Sequence, residues 1–223
     1  MIHSRRGLLH TALTGVATTL FGGFDGRFTA SAQTTLRPEA ALQELMEGNR
    51  RFTESRMTSF KDDLDMLMAK TVEKQEPFAA VLSCADSRVP VELIFDQSIG
   101  HLFVTRIAGN IATSAIIASL EYGVAVLGTK AVVVLGHANC GAVKASIEAK
   151  AVPGQISTFY RYILPAIKKE KRDLTAAIKA NAKFQAALLR RSSPVLAEHI
   201  KQDKLKIVAG YYDLASGNVS LLD

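Results

Sequence analysis

Short apolar runs separated by longer amphipathic stretches set the pattern of hydrophobic and polar positions along this chain. Residues 78–83 (FAAVLS) form an uncharged run that predicts a buried strand, and residues 102–105 (LFVT) follow a glycine turn signal and predict another. Residues 131–135 (AVVVL) are rich in β-branched side chains, which is typical of a strand at the centre of a parallel sheet. Residues 205–212 (LKIVAGYY) and 218–222 (NVSLL) flank a Ser-Gly turn and predict a terminal antiparallel hairpin.

The stretches between these runs have the spacing of helices. Residues 37–54 place apolar side chains at helical intervals, namely at Ala41, Leu42, Leu45 and Met46. We also expect helices over 113–127 with Thr113 as N-cap, over the basic, alanine-rich region 162–191, and from Pro194 onward. Strands that alternate with helices predict an α/β fold, in which a mostly parallel central sheet is flanked by helices and ends in the C-terminal antiparallel hairpin.

The first 32 residues have the pattern of an export signal. Arg5 and Arg6 precede an apolar stretch at 11–24, and Ala30-Ser31-Ala32 offers a small-x-small cleavage site. The stretch is too short to span a bilayer and its glycines disfavour a stable helix, so we expect a cleavable leader over 1–32 and no stable membrane anchor. The segment SRRGLL resembles a twin-arginine signal, which exports folded proteins, and this predicts a periplasmic location.

The rest of the chain has the composition of a globular protein. Of 223 residues, 48% are apolar and 22% are charged, which excludes a disordered chain and a protein with many membrane spans. Residues 33–223 contain no repeat or long linker, so we expect one domain. The net charge of +6 comes partly from the leader and partly from residues 168–172 (KKEKR). Because no aromatic residues interleave with that run, we interpret it as a solvated helix face and expect no nucleic-acid partner.

The chain has two cysteines, and both follow predicted strands. Cys84 comes directly after residues 78–83, and Cys140 lies in the segment GHANCG that follows residues 131–135. In an exported protein such a pair would ordinarily suggest a disulfide. The carboxyl ends of parallel strands are, however, where open α/β sheets place their active sites, so these positions favour a functional role. A Cys84–Cys140 disulfide and two small buried apolar residues remain alternatives.

A histidine near the second cysteine points to a metal. His137 and Cys140 are three residues apart, which places both on one side of a single turn. Two thiolates and one imidazole are donors that zinc prefers, and three protein ligands leave its fourth position open for water, as in catalytic sites. The sequence therefore predicts a catalytic Zn²⁺ site formed by Cys84, His137 and Cys140.

Asp86 and Arg88 follow Cys84 at intervals of two residues. In an extended segment, side chains two residues apart lie on the same face, so Asp86 and Arg88 are expected beside Cys84. A carboxylate and a guanidinium would then face the predicted metal site. The alternative is that Asp86 is a loop or capping residue and that Arg88 is only its ion-pair partner.

Several segments extend this pattern over most of the chain. Besides CADSRV and GHANCG, they are EGNRRF, IFDQSIGHLFVTRIAGN, SLEYGV, SPVLAEHIK and GYYDL, from about residue 40 to the end. Together these segments resemble the β-class carbonic anhydrases. The resemblance implies reversible hydration of carbon dioxide to bicarbonate and a proton, with one Zn²⁺ per subunit. It makes Cys84, His137 and Cys140 the zinc ligands, and Asp86 and Arg88 the pair that orients zinc-bound hydroxide.

The same resemblance implies a substrate pocket and an oligomer. The pocket-lining positions of the family fall on Gln75, Phe103, Ala108, Tyr122 and Gly141. Phe103 and Tyr122 would come from the neighbouring subunit, which implies a homodimer or a higher homo-oligomer. Ala108 is smaller than the usual valine and would widen the pocket. Two other functions stay open, namely hydrolysis of carbon disulfide or carbonyl sulfide on the same scaffold, and a zinc-binding homologue without catalytic activity.

Overall fold

A computed structural model describes residues 34–59, 71–72, 74–167 and 173–222 of the chain. Its helices are α1 (Pro38–Thr53), α2 (Val91–Ile94), α3 (Ser114–Ala125), α4 (Gly141–Glu148), α5 (Tyr160–Ile167), α6 (Leu174–Ser192) and α7 (Pro194–Lys201). Its strands are β1 (Ala79–Ser83), β2 (Leu102–Arg106), β3 (Ala131–His137), β4 (Lys206–Tyr212) and β5 (Val219–Leu222). Short 3-10 turns lie at Ala108–Asn110 and Ile156–Phe159. The predicted leader and the basic run at 168–172 lie outside the described residues.

The strands form one sheet in the order β2-β1-β3-β4-β5. The pairs β1–β2, β1–β3 and β3–β4 are parallel, whereas β4 and β5 pair antiparallel. This arrangement confirms the expected α/β fold with its C-terminal antiparallel pair. Every residue of β1 and β3 is buried, as expected for central strands covered on both faces.

Successive side chains of the central strands enter two different cores, because strand side chains alternate between the faces of a sheet. Val81 and Val133 belong to a cluster with residues of α1 and α2, including Leu45. Leu82 belongs to a second cluster on the opposite face, with residues of α3, α6 and α7 such as Leu196. Each such fully buried side chain contributes roughly 1.5–3 kcal/mol to folding, so the two central strands form a rigid support for whatever follows their ends.

A third apolar cluster lies beneath the segments that follow β1 and β3. It joins Cys84 and Cys140 to Val143 of α4, Ile163 of α5 and Ile178 of α6. The two cysteines are therefore held among packed helices, close to the carboxyl ends of the parallel strands.

Two elements differ in extent from the sequence-based prediction. The strand predicted at 131–135 continues to His137, because β3 pairs with β4 over two further residues, up to His137 and Tyr212. The region predicted as helical over 162–191 contains α5 and α6, and α6 has its own N-cap, since the Asp173 side chain accepts a hydrogen bond from the backbone N–H of Ala176. Thr113 caps α3 as predicted.

Among the described residues, no helix is long and apolar enough to cross a lipid bilayer.

Candidate metal centre

Three segments bring the predicted ligands together at one edge of the sheet. Cys84 directly follows β1, and His137 is the last residue of β3. Cys140 is the N-cap residue of α4, where the helix dipole and free backbone N–H groups favour a thiolate. The parallel register pairs Ser83 with Leu135, so Cys84 and His137 extend from neighbouring strands at similar depth.

The ligand atoms of Cys84, His137 and Cys140 all lie within 4.8 Å of one another. All three side chains are buried, and both cysteines are free rather than joined in a disulfide. Two sulfurs and one ring nitrogen at this spacing could hold a single ion, and this donor set is the one that zinc accepts.

His137 presents a nitrogen that is suited to a metal. Its Nδ1 lies 2.9 Å from the carbonyl oxygen of Ala138. A carbonyl can only accept, so Nδ1 carries the proton and Nε2 carries the lone pair. Nε2 is buried and has no hydrogen-bond partner within the part of the chain that the structure describes. A buried nitrogen lone pair without a partner is costly, and a bound cation would satisfy it.

The two cysteines behave as one acid-base pair. The hydrogen bond from the Cys140 thiol, the adjacent His137 ring and the backbone N–H groups of Gly109 and Asp86 lower the pKa of Cys84 to about 4, against the effect of burial. The pKa of Cys140 is raised, because its proton is shared with the Cys84 sulfur and because it is buried. The pair thus retains one proton near neutral pH, which a divalent cation would displace.

Asp86 lies beside this ligand group and is bound to Arg88. Its Oδ1 accepts hydrogen bonds from the Arg88 backbone N–H at 3.0 Å and from Arg88 Nε at 2.9 Å, and its Oδ2 accepts one from Arg88 Nη2 at 2.8 Å. Oδ2 is also 3.8 Å from His137 Nε2. The Arg88 guanidinium holds the pKa of the Asp86 carboxyl well below its usual range, so Asp86 is a carboxylate at neutral pH.

Arg106 fixes the backbone on which Cys84 and Asp86 are carried. Its Nε donates to the Cys84 carbonyl oxygen at 3.1 Å, and its Nη2 donates to the Asp86 carbonyl oxygen at 2.5 Å. The sequence alone did not identify Arg106 as part of the site. The available sequence signal is a charged residue directly after the apolar run 102–105. In the structure Arg106 ends β2 and pairs in register with Ser83, the residue before Cys84.

Within one chain, the structure brings together only some of the predicted pocket residues. Gly141 directly follows Cys140 and faces open space, and Ala108 precedes Gly109, whose N–H donates to Cys84 Sγ at 3.3 Å. Gln75 is exposed and precedes β1, at the opposite end of that strand from Cys84.

Phe103 and Tyr122 also lie away from the predicted metal ligands of the same chain. Phe103 pairs in register with Ala80, four residues before Cys84, or about 13 Å along the strand. The two rings pack against each other with centroids 6.2 Å apart, and Tyr122 is 48% exposed.

A groove of about 480 Å³ opens beside the ligand segments. It is lined by Arg88, by Ala138 and Asn139, and by residues 212–215 after β4. Arg88 is therefore accessible from solvent on this side, while Cys84, His137 and Cys140 are buried.

Comparison with known proteins agrees with this geometry. A family model described as "Carbonic anhydrase" matches residues 79–219, a span that contains all the predicted metal ligands as well as Asp86 and Arg88. The chain belongs to the β-class carbonic anhydrase family. It is 36% identical to carbonic anhydrase 2 of Mycobacterium tuberculosis over 194 residues, which cover 83% of this chain and 93% of the relative. It is 33% identical to a carbonic anhydrase of Mycolicibacterium smegmatis, over 82% of this chain and 93% of the relative.

Solved β-carbonic anhydrases have the same fold. The Coccomyxa enzyme, solved in complex with acetazolamide, superposes with a TM-score of 0.64 at 25% identity, over 81% of this chain and 86% of the other. Tetrameric β-carbonic anhydrases of Sordaria macrospora give a TM-score of 0.67 at 21% identity, over 82% of this chain and 97% of the other, a likeness of fold. Membership of the carbonic anhydrase family confirms the expected class of enzyme, a lyase whose family uses zinc.

Proposed function

We propose that this protein catalyses the reversible hydration of carbon dioxide to bicarbonate and a proton, with one Zn²⁺ held by Cys84, His137 and Cys140. The observation that carries the proposal is the position of Asp86, whose carboxylate Arg88 holds 3.8 Å from His137 Nε2. Among the described residues, this nitrogen has no hydrogen-bond partner. A site that only bound a metal for stability would need neither residue.

Zinc at this position would lower the pKa of water to about 7 and so supply a nucleophile at neutral pH. Because two thiolates would already offset the charge of the ion, this site would lower the pKa of water less than a site with three neutral imidazoles. The chain's own residues must therefore contribute to the orientation of the nucleophile.

The hydrogen bonds of Asp86 leave one position free for this task. A carboxylate has about four lone-pair sites, and Arg88 occupies two on Oδ1 and one on Oδ2. The remaining site is on Oδ2, the oxygen that is also near His137. A hydroxyl that donates its proton there would direct its oxygen lone pair toward carbon dioxide, and Arg88 would keep the carboxylate ionised and aimed.

The substrate pocket is proposed to be shared between subunits. Ala108 and Gly141 border the ligands of their own chain, whereas Phe103 and Tyr122 would line the site of a neighbour, with Gln75 as a further polar contact. The exposure of Tyr122 and the distance of Phe103 from its own site support this arrangement. We therefore expect a homodimer or a higher homo-oligomer, and Tyr122→Asp should lower the mass measured by analytical ultracentrifugation. An unchanged mass would contradict this interface.

We further propose that residues 1–32 are a leader and that the mature enzyme is periplasmic. The support is the arrangement of two arginines, an apolar stretch and the Ala30-Ser31-Ala32 site. Arg5→Lys with Arg6→Lys should retain the full-length chain in the cytoplasm. A mature chain that still appears in the periplasmic fraction of this variant would exclude the twin-arginine route, and N-terminal sequencing would locate the cleavage site.

The activity itself is tested by stopped-flow hydration of carbon dioxide. We expect rapid hydration by the zinc-loaded protein, loss of activity after chelation, and recovery when zinc is added back. The same preparation should hydrolyse carbonyl sulfide or carbon disulfide slowly or not at all. Efficient hydrolysis of either sulfur compound with weak hydration would favour the sulfide hydrolase, and zinc binding without either activity would favour a non-catalytic homologue.

A further inference from the structure

Two amide side chains form a buried network on the helix next to the metal centre. Asn181 and Gln185 are four residues apart on α6, and neither has any exposed surface. Asn181 Nδ2 donates to the Gly109 carbonyl oxygen at 2.9 Å. Gln185 Oε1 accepts from the Ala112 backbone N–H at 3.0 Å, and Gln185 Nε2 donates to the Tyr162 carbonyl oxygen at 3.0 Å and to Asn181 Oδ1 at 3.1 Å.

The partners fix the orientation of both amides. A backbone N–H only donates, so the oxygen of Gln185 must face Ala112 and its nitrogen must face Asn181. The Asn181 oxygen then accepts from Gln185, and its nitrogen faces the Gly109 carbonyl, which can only accept. One orientation alone satisfies the whole network, and buried amides without these partners would be strongly unfavourable.

The network ends on a peptide that touches the metal centre. Gly109 has φ +75°, in the left-handed region, and a Cβ added there would lie 2.8 Å from Ile163 Cδ1 and 3.3 Å from Ala142 Cβ. The backbone of Gly109 is thus confined by α4 and α5, while its carbonyl is held by Asn181 of α6. Its N–H donates to Cys84 Sγ at 3.3 Å.

We propose that Asn181 and Gln185 are positioning residues for the metal centre. They fix the Gly109 peptide so that its N–H is directed at the Cys84 sulfur, and they thereby limit how much electron density this thiolate gives to a bound ion. Hydrogen bonds from outside the ligand set commonly orient the ligands and tune the metal. The inference rests on the proposed zinc site, because it concerns the sulfur of one of its ligands.

Asn49 offers a matched control for loss of a buried amide. It is equally buried, on α1, and its Nδ2 donates to the carbonyl oxygens of Ile94 and Gly217 while its Oδ1 accepts from the Val219 backbone N–H. None of these partners belongs to the metal centre. Asn49→Leu should lower stability as Asn181→Leu does, without affecting Cys84.

The experiment replaces zinc by Co²⁺, whose thiolate-to-metal charge-transfer absorption reports electron density on sulfur. We load Co²⁺ into the mature protein without the proposed leader and into its variants Asn181→Leu, Gln185→Met and Asn49→Leu. Metal affinity is measured by competition with a chelator. We expect Asn181→Leu to shift the charge-transfer band to longer wavelength, because the Cys84 sulfur retains more electron density. Metal binding should weaken about tenfold, because the sulfur is no longer held in position and this outweighs its stronger donation. Gln185→Met, which keeps the side-chain length, should change the band position and the metal affinity in the same directions. Asn49→Leu should have the band position and the metal affinity of the parent.

Other outcomes separate the inference from the proposed function. If the α6 variants fold and their band and affinity equal those of the parent, Asn181 and Gln185 only pack the core and the inference is wrong. If Asn49→Leu shifts the charge-transfer band by as much as Asn181→Leu does, the shift results from a general loss of stability. That result would also overturn the positioning role of Asn181 and Gln185. If the parent binds no Co²⁺ through its thiolates, the proposed zinc site fails and the inference fails with it.

Discussion

Two carboxylate–arginine pairs in this chain have similar bonds and different surroundings. Asp96, which follows α2, accepts hydrogen bonds from Arg51 Nε at 2.6 Å, from the Thr58 N–H and hydroxyl at 3.0 and 3.1 Å, and from the Ser59 N–H at 3.1 Å. Its side chain is completely buried. Among the described residues, the Asp86 carboxylate accepts hydrogen bonds only from Arg88; it is 17% exposed and has one oxygen site left near His137 Nε2.

The difference lies in whether the carboxylate has a free acceptor site. Asp96 is saturated by donors from the end of α1 and from the segment that follows it, so it can only hold those segments against α2. Asp86 retains an acceptor site beside a group of buried metal-ligand atoms. An Asp–Arg pair therefore indicates function when its hydrogen bonds are incomplete on the side that faces a reactive centre.

The largest effect is expected from Cys140→Ser, which removes a proposed zinc ligand near Asp86 and leaves the Asp96 region intact. Zinc affinity should fall by more than about 100-fold, and hydration activity should be lost with it, because the alcohol remains protonated and is a poor zinc ligand. Zinc content after dialysis and stopped-flow hydration measure the two effects. A variant that retains zinc and activity would exclude Cys140 as a ligand.

The next effect is on turnover. Asp86→Asn keeps the size of the side chain but places an amide where the carboxylate accepts, so hydration per bound zinc should fall about 100-fold. The loss should appear mainly in kcat at saturating carbon dioxide. Hydration at the parental rate would show that the free Oδ2 site has no catalytic role.

Asp96→Asn should act on stability instead. The substitution removes the charge that pairs with Arg51 and replaces acceptor sites with donors facing other donors, at a cost of about 3 kcal/mol in the free energy of unfolding. Urea unfolding followed by circular dichroism measures this quantity. A change below about 0.5 kcal/mol would mean that the cluster does not hold α1.

The smallest effect is the pH dependence of that stability. Burial alone would raise the pKa of Asp96, but hydrogen bonds from Arg51, Ser59 and Thr58 outweigh it, and the pKa lies at about 2. An unfolded aspartate has a pKa of about 3.9. The contribution of Asp96 is therefore complete above that value and is lost as the pH falls toward 2. The stability difference between the parent and Asp96→Asn should narrow over this range, and a constant difference would contradict the lowered pKa.

Local sequence predicted most of the fold, because the apolar runs at β1 and β3 and the helical spacing of α1 are local patterns. It also predicted that the Cys84 and His137 segments would meet, since both follow parallel strands. It did not reveal Arg106, Asn181 and Gln185 as parts of the site, because their partners are backbone groups of residues 20 to 73 positions away. Such contacts depend on how helices and strands pack, which composition and spacing do not encode.

We expect Asp86 to act in catalysis and Asp96 to act only in stabilising the fold. The most direct test measures zinc content, hydration rate per zinc and free energy of unfolding in Asp86→Asn and Asp96→Asn side by side. We predict a crossed result. Asp86→Asn should keep zinc and stability but lose about 100-fold in hydration rate, whereas Asp96→Asn should keep zinc and hydration rate but lose stability. Equal losses of rate in both variants, or loss of zinc from Asp86→Asn, would contradict it.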